Sequence, residues 1–400
     1  MKVSVKKISL LLLFIQVISS VGIAQSIDIS ELAGQTNPIS TAVPFLIIAP
    51  DSRSGAMGDV GAATTPDANS QHWNPAKFAF LEKDFGLSLS YTPWLHNLVP
   101  DINLAYLSGY KKIDKDQTLG FSLLYFSLGN IQFTNIQGQY NGEFNPNEFA
   151  LDASYSRRFS KNFSAGIALR YIYSNLTGGA YVGDGSSETH PGNAVAGDIS
   201  FFYTTPLDMQ EYDGNLAFGL NISNLGSKIS YTDDAQQNFI PINLRLGTSY
   251  EMKIDNYNSL SLNVDVNKLL VPTPAVMIGD STFGNESTDI SIASGVFGSF
   301  NDAPGGFKEE VNEISYSLGA EYWYNQQFAV RAGYFYEHEN KGNRKYATMG
   351  VGLKLNVFSL DFAYLLPLQG RQHPLANTMR FTLVFDFDGF KAMNNPTEEM

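Results

Sequence analysis

The sequence predicts an all-β fold, a transmembrane antiparallel β-barrel of about 14 strands with an N-terminal plug or hatch segment. Three observations carry that expectation. Apolar and polar residues alternate along many runs of about 9–11 residues, the length a tilted strand needs to cross the hydrocarbon of a bilayer. Long and short connections alternate between those runs, as they do when one rim of a barrel carries short periplasmic turns and the other carries long extracellular loops. The 400 residues also hold 35 Gly, 28 Phe and 21 Tyr against 26 Lys and Arg. After residue 24 no uninterrupted apolar run is long enough to span a bilayer as a helix, and few amphipathic helices are legible.

Residues 1–24 carry Lys2, Lys6 and Lys7, an apolar run from Ile8 to Val21, and the small-residue site Gly22-Ile23-Ala24. That order is a secretory signal peptide, so the mature chain is expected to begin near Gln25, outside the cytoplasm. The chain has no cysteine, which removes disulfides, thiolate metal sites and a lipid anchor on an N-terminal cysteine. A net charge of −13 argues against nucleic acid as a partner.

Residues 25–84 form the expected plug segment. The stretch Asp51-Ser52-Arg53-Ser54-Gly55-Ala56-Met57-Gly58-Asp59 and the triplet Asn74-Pro75-Ala76 concentrate residues that make tight turns and short capped helices. A solvated leader would not carry Phe45-Leu46-Ile47-Ile48 or Phe78-Ala79-Phe80-Leu81. The segment is therefore expected to pack inside or under the lumen, with partners for the charges of Asp51 and Arg53.

Residues 85–388 form the expected barrel, with strands near 85–94, 101–111, 117–128, 147–159, 163–175, 194–205 and 214–225, then near 241–252, 258–268, 313–325, 327–337, 346–356, 358–366 and 378–387. Leu260, Leu262, Val264 and Val266 share one face against Asn263, Asp265 and Asn267. Ile242, Leu244 and Leu246 likewise oppose Asn243 and Arg245, Met349, Val351 and Leu353 oppose Thr348, and Met379, Phe381 and Leu383 oppose Arg380 and Thr382. Short connections fall at Ser160–Asn162, Gln326 and Val357; long ones fall at 129–146, 175–193, 226–240, 269–312 and 367–377. Pro206–Asp213 reads as an unusually long inner turn. Residues 389–400 form a polar tail, expected to be periplasmic together with the amino terminus.

Chemistry is sparse. His72, His96, His190, His338 and His373 lie in the plug or in loops, without partners at metal-ligand spacing, so each reads as a solvated histidine and no metal site or cofactor is expected. No Ser and His project together from adjacent strands, and the chain is read as a non-enzyme. Arg170, Asp198, Arg245, Glu251, Asp265, Glu321, Arg331, Lys354 and Arg380 are expected to face inward. Both signs occur, so pairing across the lumen to hold a plug is favoured over a one-sign selectivity wall. Gly166, Gly219 and Gly333 either kink their strands or relieve crowding inside the barrel.

Those residues, in that order, resemble the PorV family of outer-membrane barrels of the Bacteroidetes type IX protein secretion system. That family is in turn similar to the FadL long-chain fatty-acid transporters, whose N-terminal hatch carries a comparable Asn-Pro-Ala. The resemblance implies that Asp51, Arg53, Gly58, Asp59, Asn74 and Pro75 set the hatch fold. It also implies a protein without catalytic residues, embedded in outer-membrane lipid. Such a protein docks beside the translocon barrel SprA (Sov), receives secreted proteins bearing C-terminal sorting domains, and passes them to the PorU attachment complex. The alternative is a FadL-like channel for hydrophobic small molecules.

The longest connection, Leu269–Asn312, is the candidate partner-binding element. Leu270, Val276, Met277, Ile278, Phe297 and Phe300 are apolar residues on its expected aqueous side. They must be covered, either by folding over the barrel's own mouth or by a partner.

Overall fold

Fourteen strands close into one antiparallel barrel in a computed structural model, which describes residues 36–387 except 97–98, 135–137, 180, 183–186, 210–211, 234–236, 279–280, 285–289 and 370–373. The expected signal peptide, the expected tail and His373 lie outside the described residues. The strands are β1 Phe85–Pro93, β2 Asn103–Lys112, β3 Gln117–Ser127, β4 Asn147–Arg158, β5 Phe163–Asn175, β6 Gly192–Met209 and β7 Tyr212–Gly226. The second half comprises β8 Asn243–Lys253, β9 Asn258–Leu269, β10 Ser315–Tyr324, β11 Phe328–Tyr336, β12 Lys345–Lys354, β13 Phe358–Pro367 and β14 Met379–Asp386. Each strand pairs with the next, and β1 closes on β14 from Gly86↔Asp386 to Tyr91↔Phe381. Closure leaves no open edge in the sheet, which lipid demands because nothing there can bond free backbone groups.

The alternation sorts the side chains as a period of two requires. Leu262 and Val264 are exposed on the outside while Asn263 and Asp265 are buried; Met349 and Val351 are exposed and Thr348 is buried; Phe381 is exposed between buried Arg380 and Thr382. Ile242 departs from its expected face. It precedes β8 and is fully buried with Val43, Phe45 and Leu46 of the plug.

The long inner turn expected at Pro206–Asp213 is instead mostly strand, since β6 runs to Met209 and β7 starts at Tyr212. Proline is tolerated there for a geometric reason. Thr204 N–H donates toward β5, to Asn162 O at 2.8 Å, so two residues on, the N–H that Pro206 lacks would point past the end of β5. With that correction the connections at this rim are all short. A register shift interrupts the β6–β7 ladder between Gly197 and Ile199. Asn224, opposite it, takes a positive φ and donates its N–H to Asp198.

Residues 36–84 thread the lumen from the long-loop end to the short-turn end. Asn37 N–H donates to Asn340 O and Ala42 N–H to Phe239 O, both acceptors lying in long-side loops. Helix α1 (Ser52–Gly55), helix α2 (Ser70–Trp73) and a 3-10 helix (Pro75–Phe80) follow. At the other end Lys112, the last residue of β2, donates N–H to Asp84 O and Nζ to Leu81 O. Asn37 and Phe387 thus lie at opposite ends of the barrel. The plug is a single pass through the lumen and the barrel adds an even number of passes; the termini themselves, expected to share a side, lie outside the described residues.

Candidate functional site

The plug is held by three kinds of contact, and the motif residues make most of them. Asp51 caps α1, accepting Ser54 N–H at 2.9 Å, and its other oxygen accepts Trp73 Nε1–H at 2.6 Å. Arg53 reaches the wall, donating Nε–H and Nη2–H to the two oxygens of Glu321 at 2.9 and 2.7 Å, and pairs with Asp67 of the plug at 2.9 Å. Glu321 is shared with Arg331 at 2.6 Å, which in turn holds Asp361 at 2.6 Å. A planar guanidinium fork matches a carboxylate at two points, so this chain of charges fixes orientation as well as position.

Gly58 and Asp59 both have positive φ, 70° and 64°. At Gly58 a Cβ would stand 2.7 Å from Tyr334 N and 2.6 Å from Tyr334 O, so only glycine lets the turn lie against β11. Its N–H donates to Thr348 Oγ1 at 2.8 Å. Asp59 accepts from Tyr346 OH at 2.5 Å, and its backbone oxygen accepts from Arg245 Nη1 at 3.0 Å. Asn74 braces three segments at once. Its Oδ1 accepts Ala76 N–H at 3.1 Å, and its Nδ2 donates to Ala62 O at 2.8 Å and to Phe201 O of β6 at 3.0 Å. Pro75 opens the 3-10 helix at a position where no N–H is needed.

The third contact is a belt of inward-facing glycines. A Cβ built at Gly219 would lie 1.9 Å from Ala62 O, at Gly333 2.1 Å from Gly58 N, and at Gly166 2.8 Å from Ala76 N. Of the two roles open to these glycines, the close approach of plug backbone to wall is the one realised.

Arg170, Arg245 and Arg380 pair as well, Arg380 with Asp59 at 3.9 Å. Arg170 binds Asp152 at 2.6 Å and Asp198 at 3.3 Å; Arg245 lies 3.6 Å from Asp265 and over the Trp73 ring. Asp265 also accepts Gly61 N–H and Ala62 N–H at 2.8 and 2.9 Å. Glu251 and Lys354 line a cavity of about 450 Å³ at the short-turn end. A second cavity, about 400 Å³, opens at the long-loop end beside Ile39, Ile47, Arg245 and Phe335. Buried Lys77, which donates to Gly61 O and Thr64 Oγ1, was not legible as a site residue, because nothing in the sequence pairs a lysine with a carbonyl. His72 corrects the solvated reading: it sits within the barrel, edge-on to the Trp73 and Tyr106 rings.

The long connection between β9 and β10 has two faces. It contains a hairpin of Val276–Ile278 with Ser281–Phe283, helix α3 (Ile292–Gly298) and helix α4 (Phe307–Asn312). Leu270 and Val271 are buried against Phe45 and Leu46 of the plug, with Ile292 and Val296 packed on the same cluster. Leu270 is thus part of the barrel's cover and not an available contact. One position along the helix, Phe297 is 78% exposed; Met277, Phe300 and Phe307 are also exposed. Phe307 was missed because it stands between Gly-Gly and a charged run. Beneath them Lys268 of β9 binds Glu310 at 3.0 Å and Glu313 at 2.6 Å, and Lys341 binds Glu309 at 2.5 Å and Glu313 at 3.0 Å. Thr273 Oγ1 donates to Glu313 at 2.6 Å. The loop is fastened at its base.

The family model of type IX secretion system protein PorV matches residues 31–276, which span the plug and β1 to β9. The chain belongs to the PorV family. No curated protein matches it significantly. Among solved structures, this PorV-family chain is similar to the Pseudomonas putida toluene transporter TodX (11% identity, 88% of this chain and 98% of that one, TM-score 0.48). It is also similar to the Ralstonia pickettii toluene transporter TbuX (12%, 84% and 97%, 0.45) and to a Pseudomonas aeruginosa FadL homologue (12%, 88% and 100%, 0.42). At these scores the likenesses add nothing to the family assignment.

Proposed function

We propose that this chain is a docking and carrier barrel of the outer membrane, with its long-loop end outside the cell. It sits beside the translocon barrel SprA, takes over exported proteins that carry C-terminal sorting domains, and delivers them to the PorU attachment complex without chemistry of its own. The observation that carries this reading is the contrast between a lumen closed by a fastened plug and a platform of exposed Met277, Phe297, Phe300 and Phe307 above it. A channel running straight through the lumen would need the two end cavities to join, and the plug's contacts at Gly166, Gly219 and Gly333 stand between them.

The test is co-purification. Replacing Phe297, Phe300 and Phe307 together by Ser should leave the barrel assembled while the translocon no longer co-purifies and sorting-domain proteins are no longer exported. Unchanged retention and export would refute docking through this loop. Orientation is read separately: with no native cysteine, a membrane-impermeant maleimide on intact cells should reach Ser281→Cys and not Asn162→Cys.

A further inference from the structure

The lipid-facing wall of the barrel is not uniform at its short-turn rim. Lys111 on β2 and Arg157 on β4 are exposed and share the outward register of Leu107 and Leu151 on the same strands. The ladder sets them on either side of β3. Lys111 pairs with Leu119, and Leu119 with Tyr155; two residues nearer the turns, Gln117 pairs with Arg157. Leu119, Gln117 and Tyr155 therefore form a common floor between the two cations, and the Tyr155 hydroxyl donates to Gln117 Oε1. Lys115 and Lys161 stand exposed in the adjoining turns. We propose that this outward patch on β2–β4 binds an anionic phospholipid of the leaflet at the short-turn rim, its phosphate between Lys111 and Arg157 and its acyl chains along Leu119 and Phe121.

Charge is what commits the patch to such a lipid. The carboxylates closest in sequence are engaged by their own turn: Asp116 binds Arg158 at 2.9 Å, and Asp114 accepts the N–H groups of Asp116 and Gln117 at 2.8 and 2.9 Å and Gln117 Nε2–H at 2.6 Å. Among the described residues none of Lys111, Lys115, Arg157 and Lys161 makes an ion pair; Arg157 lies over the Phe159 ring at 5.8 Å instead. Elsewhere on the rim, exposed residues such as Tyr257, Tyr324, Phe328 and Leu355 are uncharged. Lys253 and Lys354 share the inward register of buried Ser249 and Thr348. Cations scattered at an interface need only reach water along an apolar wall. Two that flank one floor, with no carboxylate between them, match the phosphate oxygens of a headgroup, and a guanidinium meets those oxygens at two points. A zwitterionic headgroup brings its own ammonium to the phosphate, so the net anionic one is preferred. The inference needs only the barrel in a bilayer and not the carrier role.

Native mass spectrometry of the whole barrel, released from detergent doped with equal amounts of phosphatidylglycerol and phosphatidylcholine, reads the preference. The unaltered chain is expected to retain phosphatidylglycerol. Lys111→Gln combined with Arg157→Gln should lower that retention roughly tenfold, whereas Lys253→Gln combined with Lys354→Gln, which removes the same charge from the inward register, should leave it unchanged. Equal retention of the two lipids by the unaltered chain, or an equal loss in both variants, would overturn the proposal. Displacement of the lipid by an equal concentration of inorganic phosphate would overturn it too, since the patch would then read only a free anion. A measurement with both cations in place covers a variant that fails to fold. The chain has no cysteine of its own, so a fluorophore can be placed on Leu119→Cys. It should be quenched more by doxyl-labelled phosphatidylglycerol than by doxyl-labelled phosphatidylcholine, while one on Leu355→Cys is quenched equally by both; equal quenching at Leu119→Cys would refute a lipid held there.

Discussion

The plug and the β9–β10 loop are both non-strand segments rich in apolar residues, and they meet opposite fates. Around Phe45, Met57 and Trp73 the plug is buried on all sides, and its Arg53 and Asp59 reach wall residues. The loop packs one face inward, with Leu270 and Val271 buried and Val296 half-buried, and leaves Phe297, Phe300 and Phe307 in the open. Apolar content alone therefore does not say what a segment does. What separates them is how far the scaffold surrounds each one: a segment inside a closed barrel meets wall in every direction, whereas one lying across its mouth can be covered only from below.

The comparison is broken most directly at the glycine belt. Gly219→Ala puts a methyl group where Ala62 O stands 1.9 Å away, a backbone contact that no side-chain rotation relieves. The expected loss exceeds about 4 kcal/mol, seen as failure to accumulate heat-modifiable barrel on a gel. Arg53→Ala should come next, at roughly 3–5 kcal/mol, because it leaves half-buried Asp67 and one side of buried Glu321 without their cation. Raised single-channel conductance or protease access to the plug is the readout; wild-type values in both would mean that Arg331 alone holds Glu321. Asn74→Ala removes the brace to Ala62 O and Phe201 O and should cost about 1–3 kcal/mol with the fold retained, read as an earlier denaturation midpoint.

On the loop side, the triple Phe→Ser variant should change barrel stability by no more than about 0.5 kcal/mol while abolishing partner retention. A large stability loss would mean these rings are cover, like Leu270. The smallest effect concerns acid. Burial would raise the Glu309 carboxyl, but bonds from Lys341 and from Gly305 N–H more than offset it and hold the group below its ordinary value. A carboxylate whose folded value is depressed contributes stability that is fully present above the ordinary range and fades as pH falls through the folded value. The loop's fastening should thus hold at neutral pH and loosen only in acid, measured as protease cleavage of the loop against pH; Glu309→Gln should reduce that dependence, Glu310 and Glu313 keeping the rest.

The sequence by itself determined the barrel. A period of two written along strands such as Leu260–Asn267 and Thr348–Leu353 places every second residue in lipid, and the parity of connections closes the circle, so strand number and faces follow from local pattern. It also marked the plug motif, because residues such as Gly58 and Asn74 are chosen for backbone reasons that are local. Only the tertiary structure decided which wall residue each plug residue meets: Arg53 with Glu321, Gly58 with Thr348, Asp59 with Tyr346. Those partners stand hundreds of residues apart, and their meeting depends on the direction in which the plug is threaded. The same holds for the loop, where the half-burial of Val296 and the exposure of Phe297 depend on which face of one short helix the barrel mouth supports.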